Sequence, residues 1–207
     1  MRTRIYVDAF NLYYGALKGT PYKWLNLWLL SQQLLQEQNK IEHIKYFTAL
    51  VKSRSDDASQ LTRQKMYLRA LSTLNVEVIY GHYLSHEVQM YKAQQEPGEF
   101  PYVRVIKTEE KGSDVNIASH LLMDAFEDRY DCAVLISGDS DLVTPVLMVR
   151  SKFQKIVGVL NPQKRESKQL KKAASFYKHI RPTVLGTSQF PEELADASGT
   201  FNKPQSW

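Results

Sequence analysis

A three-layer α/β fold around a mostly parallel central sheet is what this sequence predicts, and two observations carry the prediction. Short β-branched and aromatic runs alternate with helical patterns along most of the chain. Aspartates recur where those elements meet, in Ile5-Tyr6-Val7-Asp8, Lys111-Gly112-Ser113-Asp114-Val115 and Val134-Leu135-Ile136-Ser137-Gly138-Asp139-Ser140-Asp141. Parallel sheets bind ligands outside the carboxyl ends of their strands, so acids placed there converge on one crevice if their strands are neighbours.

Taken in order, Ile5-Tyr6-Val7 reads as a buried strand closed by Asp8. Leu25, Trp28, Leu29, Leu34 and Leu35 give a helical stripe over 25–38, and His43 to Val51 a second strand. Ser55-Asp56-Asp57 supplies capping chemistry for a helix running to Leu74, with Leu61, Leu68 and Leu71 on one face. Val76 to Ile79 is a third strand. The alternation then breaks between Gly81 and Pro101, which reads as an inserted loop or β-ribbon, before a short extended segment at Val103 and Val105. Gly112-Ser113-Asp114 opens a helix with Val115, Ala118, Leu121, Leu122 and Ala125 at core spacing. Cys132 to Ile136 is a buried strand, and Asp141 to Val149 a helix with Pro145 near its first turn, where a missing N–H is tolerated. A strand at 155–160 and a short helix at 168–174 follow. Past Arg181 no periodicity is visible, so residues 1–181 are expected to form the domain and 182–207 a flexible tail.

The 207 residues suffice for one well-buried core, and 43% apolar with 24% charged residues is ordinary globular composition. No apolar run approaches the roughly 18 residues needed to span a bilayer. The N-terminus runs directly into a strand, leaving no room for a signal peptide, and a cytoplasmic location is expected. A lone Cys132 excludes an internal disulfide framework and a thiolate zinc cluster. The net charge of +5 favours a polyanionic partner.

Each acid has a plain structural reading beside the chemical one. Asp8, Asp114 and Asp139 all stand where a helix begins, so each could serve as an N-cap or a favourable first-turn charge. Capping accounts for any one of them; it accounts less readily for all of them recurring at one sheet edge. Gathered carboxylates need their repulsion offset, and a divalent metal is the usual answer. Asn11 either contacts a substrate phosphate or fixes its loop, and Lys111 either binds phosphate or relieves acidic repulsion. Arg54, Arg63 and Lys65, and the denser Lys164-Arg165, Lys168, Lys171-Lys172 stretch, are either solvated faces or backbone-tracking cations. Tyr13, Tyr14, Tyr22 and Trp24 either pack the core or stack bases. His82 and His86 are four apart but lack a third ligand for zinc. The first strand carries no Asp-x-Asp and the chain has no phosphate-cradling Gly-x-x-x-x-Gly-Lys loop, which argues against a phosphatase or nucleotide hydrolase.

The strand into Asp8 with Asn11 just after, Lys111-Gly112-x-Asp114-Val115 and Ser137-Gly138-Asp139-Ser140-Asp141-Leu142 resemble, in order and spacing, the NYN branch of the PIN-like nuclease superfamily, in particular its LabA-like (DUF88) group. The resemblance runs from about Thr3 to Leu160. It implies a Rossmann-like sheet and Mg²⁺- or Mn²⁺-dependent cleavage of RNA. Carried over residue by residue, Asp8, Asp114 and Asp139 become metal ligands, Asp141 a further catalytic acid or one just outside the ligand set, and Asn11 a substrate or loop-fixing residue; beside these, Asn11, Lys111 and Ser137 are the substrate-binding candidates. RNA is the implied partner; no membrane association is expected, and a homodimer is compatible with the sequence, which does not fix the oligomeric state. The further acid that many PIN-like nucleases draw from a mid-chain helix has no assignable counterpart here. A preserved acidic pocket on a catalytically weak, RNA-binding or regulatory module is the alternative.

Overall fold

The computed structural model describes residues 1–51, 59–96, 98–205 and 207. Its centre is a six-stranded sheet in which every pairing is parallel. Strand β1 (Arg2–Asp8) lies inside, paired on one side with β2 (Lys40–Thr48), which pairs in turn with β3 (Val76–Tyr80). On its other side β1 pairs with β6 (Cys132–Ile136), followed by β7 (Ile156–Asn161) and β8 (Phe176–His179). The strand order 3-2-1-6-7-8 therefore reverses direction between β1 and β6, the switch point where such sheets hold ligands.

Alternate side chains serve two separate cores. Ile5, Val7, Ile44, Tyr46, Val134 and Ile136 pack toward α1 (Ala9–Leu12), α2 (Leu27–Leu34) and α3 (Gln60–Ser72). Tyr6, Phe47, Ala133, Leu135, Val157 and Val159 pack toward α4 (Ser113–Phe126), α5 (Val143–Lys152) and α6 (Lys168–Ala173). Asn26 caps α2, its side chain accepting from Leu29 N at 2.9 Å, so this helix is shorter than its sequence stripe. In α4 the buried stripe runs through Ser113, Ile117, Leu121, Asp124 and Ala125. Val115 lies off that stripe and is 69% exposed, contrary to the spacing argument that placed it in the core. The capping proposed at Ser55, Asp56 and Asp57, and Arg54 with them, lies outside the described residues.

Asp124, on the buried stripe of α4, anchors a polar network. Its Oδ2 lies 2.8 Å from Lys45 Nζ and 3.2 Å from Arg4, and accepts from the Tyr6 hydroxyl at 2.6 Å. Lys45 also reaches His120 Nδ1 at 3.1 Å.

Of the two segments outside the alternating pattern, the first takes the ribbon form that was one of its two sequence readings, and the second carries more structure than the sequence discloses. Between β3 and α4 the chain forms a two-stranded antiparallel ribbon, β4 (His82–Tyr91) and β5 (Tyr102–Lys111), in register from His82–Lys111 to Tyr91–Tyr102. The segment after Arg181 was expected to be a flexible tail, yet it forms α7 (Pro182–Thr187) and a hairpin of β9 (Glu193–Asp196) and β10 (Gly199–Asn202). Leu185, Phe190 and Phe201 are buried in the first core. Arg69 grips the hairpin through both oxygens of Asp196 at 2.7 Å and lies 4.1 Å over the Phe201 ring. The apolar anchors are far apart in sequence, so no period betrays them. Among the described residues no helix is long and apolar enough to cross a membrane.

Candidate metal centre

The register Val7–Ile136 sets the carboxyl ends of β1 and β6 side by side, which brings the first and third aspartate segments together. Asp8 is 4% exposed and both its oxygens are engaged: Oδ1 accepts from Asn11 N at 2.9 Å, Oδ2 from the Ser137 hydroxyl at 3.0 Å. Ser137 Oγ in turn accepts from Asp139 N at 3.1 Å, linking the two acids through one buried hydroxyl. Asp139 Oδ1 accepts from Asp141 N at 2.9 Å, capping the 3-10 turn Ser140–Leu142. Asp114 arrives from the first turn of α4, where the helix dipole favours an anion. Capping and site chemistry thus coexist in Asp8 and Asp139.

Carboxylate oxygens of Asp114, Asp139 and Asp141 lie within 4.8 Å of one another, the one such acidic group among the described residues. Asp8 is not one of this trio and connects to it through the Ser137 hydroxyl. Burial foremost, then the charges of Asp114 and Asp139, pushes the Asp8 carboxyl up to about 6, against the hydrogen bonds from Asn11 and Ser137. Asp114 is raised as well, first by partial desolvation and then by Asp139, Glu110 and Asp141. This concentration of unneutralised charge suits a hard cation with oxygen ligands.

The remaining residues singled out in the sequence divide. Ser137 is fully buried, so it positions Asp8 and Asp139 instead of touching a substrate. Asn11 Oδ1 accepts from Gly138 N at 3.0 Å and from Gln163 Nε2 at 2.8 Å, which makes it a loop-fixing residue. Lys111 is half-exposed and pairs with Glu109 at 3.3 Å at the base of the ribbon. Gly138 is required by crowding: a Cβ there would meet Asn161 Oδ1 at 2.5 Å and Gln163 Cγ at 2.7 Å. Gly112 holds a left-handed φ of 101° where the ribbon turns into α4 and delivers Asp114.

Three further residues shape the site without having been picked out in the sequence. Buried Asn161, at the end of β7, accepts from Gln163 N at 3.0 Å and donates to Gln163 O at 3.0 Å, and Gln163 braces Asn11. Asn161-Pro162 directly after an apolar strand was the available signal. Glu110 accepts from Ser113 N at 3.2 Å and its hydroxyl at 2.9 Å, tying the ribbon to the start of α4.

A three-layer parallel α/β domain with aspartates converging at its switch point is the architecture of the PIN-like nuclease superfamily. The match of the NYN domain model over residues 2–181 is specific, and the chain belongs to the NYN domain family. It is 31% identical over 236 aligned residues to the 6-hydroxy-3-succinoylpyridine 3-monooxygenase HspA of Pseudomonas putida, covering 100% of this chain and 75% of that protein. A solved structure of a protein of unknown function from Vibrio parahaemolyticus shares the fold at a TM-score of 0.58 and 18% identity, over 87% of this chain and 93% of that one.

Proposed function

We propose that the protein is a ribonuclease that hydrolyses RNA phosphodiester bonds at a Mg²⁺ or Mn²⁺ held by Asp114, Asp139 and Asp141, with Asp8 joined to them through Ser137. The observation that carries this reading is the carboxylate trio at the switch point of an NYN domain. A bound ion of this kind lowers the pKa of water and neutralises charge developing on phosphoryl oxygens. The chain's part is to hold three hard donors in place. Ser137 fixes Asp8 against Asp139, Gln163 and Asn11 lock the Gly138 turn, and Glu110 fixes the helix that presents Asp114. Lys164, Arg165 and Lys168, exposed just beyond Gln163, extend from the crevice as cations suited to a phosphate backbone.

Cleavage of labelled single-stranded and structured RNA with Mg²⁺, Mn²⁺ or EDTA, wild type beside Asp139→Asn, tests the reading. An EDTA-sensitive activity lost in the variant supports it. Equal activity in both proteins, or RNA binding without cleavage, sinks it, the latter in favour of an RNA-binding module.

One observation favours a second reading. The relative that spans this whole chain is named for oxygenation of a pyridine ring. Uptake of O₂ by this protein, dependent on a hydroxypyridine and an electron donor, is the corresponding test.

A further inference from the structure

Beside Asp8 lies an open cavity of about 400 Å³ that the metal chemistry does not use. Its volume falls in the range of about 300–1,000 Å³ typical of small-molecule sites. Its walls are built by rings from separate parts of the fold. Phe10 and Tyr13 come from the turn after β1, Tyr46 from β2, Tyr83 from the ribbon, and Trp207 from the far end of the chain. Lys23 and Arg63 also line it, Arg63 being already bonded to the Ser59 hydroxyl. Ala9 and Phe10 follow Asp8 directly, and the Tyr46 phenol, raised first by burial and then by the Asp8 charge, lies within electrostatic reach of that carboxylate. Asp8 is thus within electrostatic reach of Tyr46 in the cavity wall and of Asp114 and Asp139 in the acidic trio.

Aromatic walls attract flat π-systems through their faces and edges, and cations among them select a ligand that also carries negative charge. Ordinary core packing would close such a space, since open apolar surface gains nothing from being left wet. We propose that this cavity binds a planar heteroaromatic ring bearing an anionic arm. Resting on the nuclease reading, that ligand is an unpaired nucleotide of the RNA, stacked among the rings while its neighbouring phosphate lies at the acidic trio. A base held this way must leave its duplex. A free heteroaromatic acid offers the same chemistry from another source.

The test is calorimetric titration of the full chain with uridine and adenosine 5′-monophosphates and, separately, with pyridine-3-carboxylate. Wild type is compared with Lys23→Ala, Tyr83→Ala and Asp139→Asn, with RNA cleavage measured on the same samples. Saturable binding that weakens about tenfold in Lys23→Ala and in Tyr83→Ala, yet stays within about twofold in Asp139→Asn, is the expected result. Both pocket substitutions lie outside the buried core, and circular dichroism establishes that each variant is folded. Nucleotide binding identifies RNA as the source, and binding of the pyridine acid alone identifies a free ring. Absence of saturation by either ligand at millimolar concentration overturns the proposal, as does equal affinity in wild type and both pocket variants. Cleavage without ring binding removes the pocket and leaves the nuclease; ring binding without cleavage under any metal does the reverse.

Discussion

Asp8 and Asp124 are almost equally buried, at 4% and 5% exposure, and they belong to opposite kinds of place. Around Asp124 burial is answered by Lys45, Tyr6 and Arg4, and the carboxyl is held below its ordinary range. Around Asp8 burial is compounded by two further carboxylates, and the carboxyl is pushed up to about 6. The same residue type is thus paired with cations in one location and, in the other, hydrogen-bonded by neutral groups beside further acids. The first is how a protein stabilises a buried charge; the second is how it prepares a place for a charge that arrives from outside.

The sharpest way to break this contrast is Lys45→Met. Removing the cation leaves Asp124 underpaired in the interior and is expected to cost about 3–5 kcal/mol in urea unfolding. A loss below about 1 kcal/mol would place Asp124 among ordinary surface ion pairs. Asp139→Asn is expected to do the opposite: RNA cleavage falls on the order of 100-fold or more, while stability stays within about 1 kcal/mol of wild type. A variant that melts as early as Lys45→Met would make Asp139 a structural residue.

Asp8→Asn sharpens the comparison further. The folded pKa of about 6 lies above the ordinary 3.8, so ionising Asp8 costs stability as pH rises from the lower value through the higher. Without divalent cation, at pH 8, the asparagine variant should be more stable than wild type by on the order of 1–2 kcal/mol. No gain in a chelated sample would mean that Asp8 is already neutralised in the fold.

The smallest effect is in the acid limb. The Asp124 contribution is fully present above the unfolded carboxylate pKa and is lost as pH falls through its lowered folded value. Asp8 works in the other direction as pH falls through about 6. Removing Asp8 should therefore steepen the loss of stability between pH 6 and pH 4, measured by thermal melts; parallel curves would argue against the raised Asp8 pKa.

Much of this was legible in the residues. The alternating pattern gave the parallel strands through β7, and strand-end acids with Ser137-Gly138 marked the edge where the site lies. Asp141, read as a further acid, belongs to the carboxylate trio, whereas Asp8, read as a ligand, meets it through Ser137. That distinction depends on which oxygens neighbours already occupy, and spacing along a chain does not encode it. Ser137 looked like a contact residue for the same reason. Strand β8 escaped notice because Phe176-Tyr177-Lys178-His179 is a short polar-aromatic run at a sheet edge. The helix and hairpin beyond Arg181 escaped because tertiary anchors such as Arg69–Asp196 hold them, with no local periodicity to show it. The Lys45–Asp124 network joins residues 79 positions apart, and no local pattern announces such a pair.

The seam between β1 and β6 runs through the middle of the sheet, with Asp8 on one side and Asp139 and Asp141 on the other. A chain emerging from the ribosome completes β1, β2 and β3 well before Cys132–Ile136 is made. At that stage Asp8 has neither Ser137 nor Asp139 beside it. Every member of the carboxylate trio lies in the second half of the polypeptide, and the seam is what joins Asp8 to it through Ser137. A nascent chain that has reached only the ribbon, or a fragment that ends there, therefore carries Asp8 without the acidic trio.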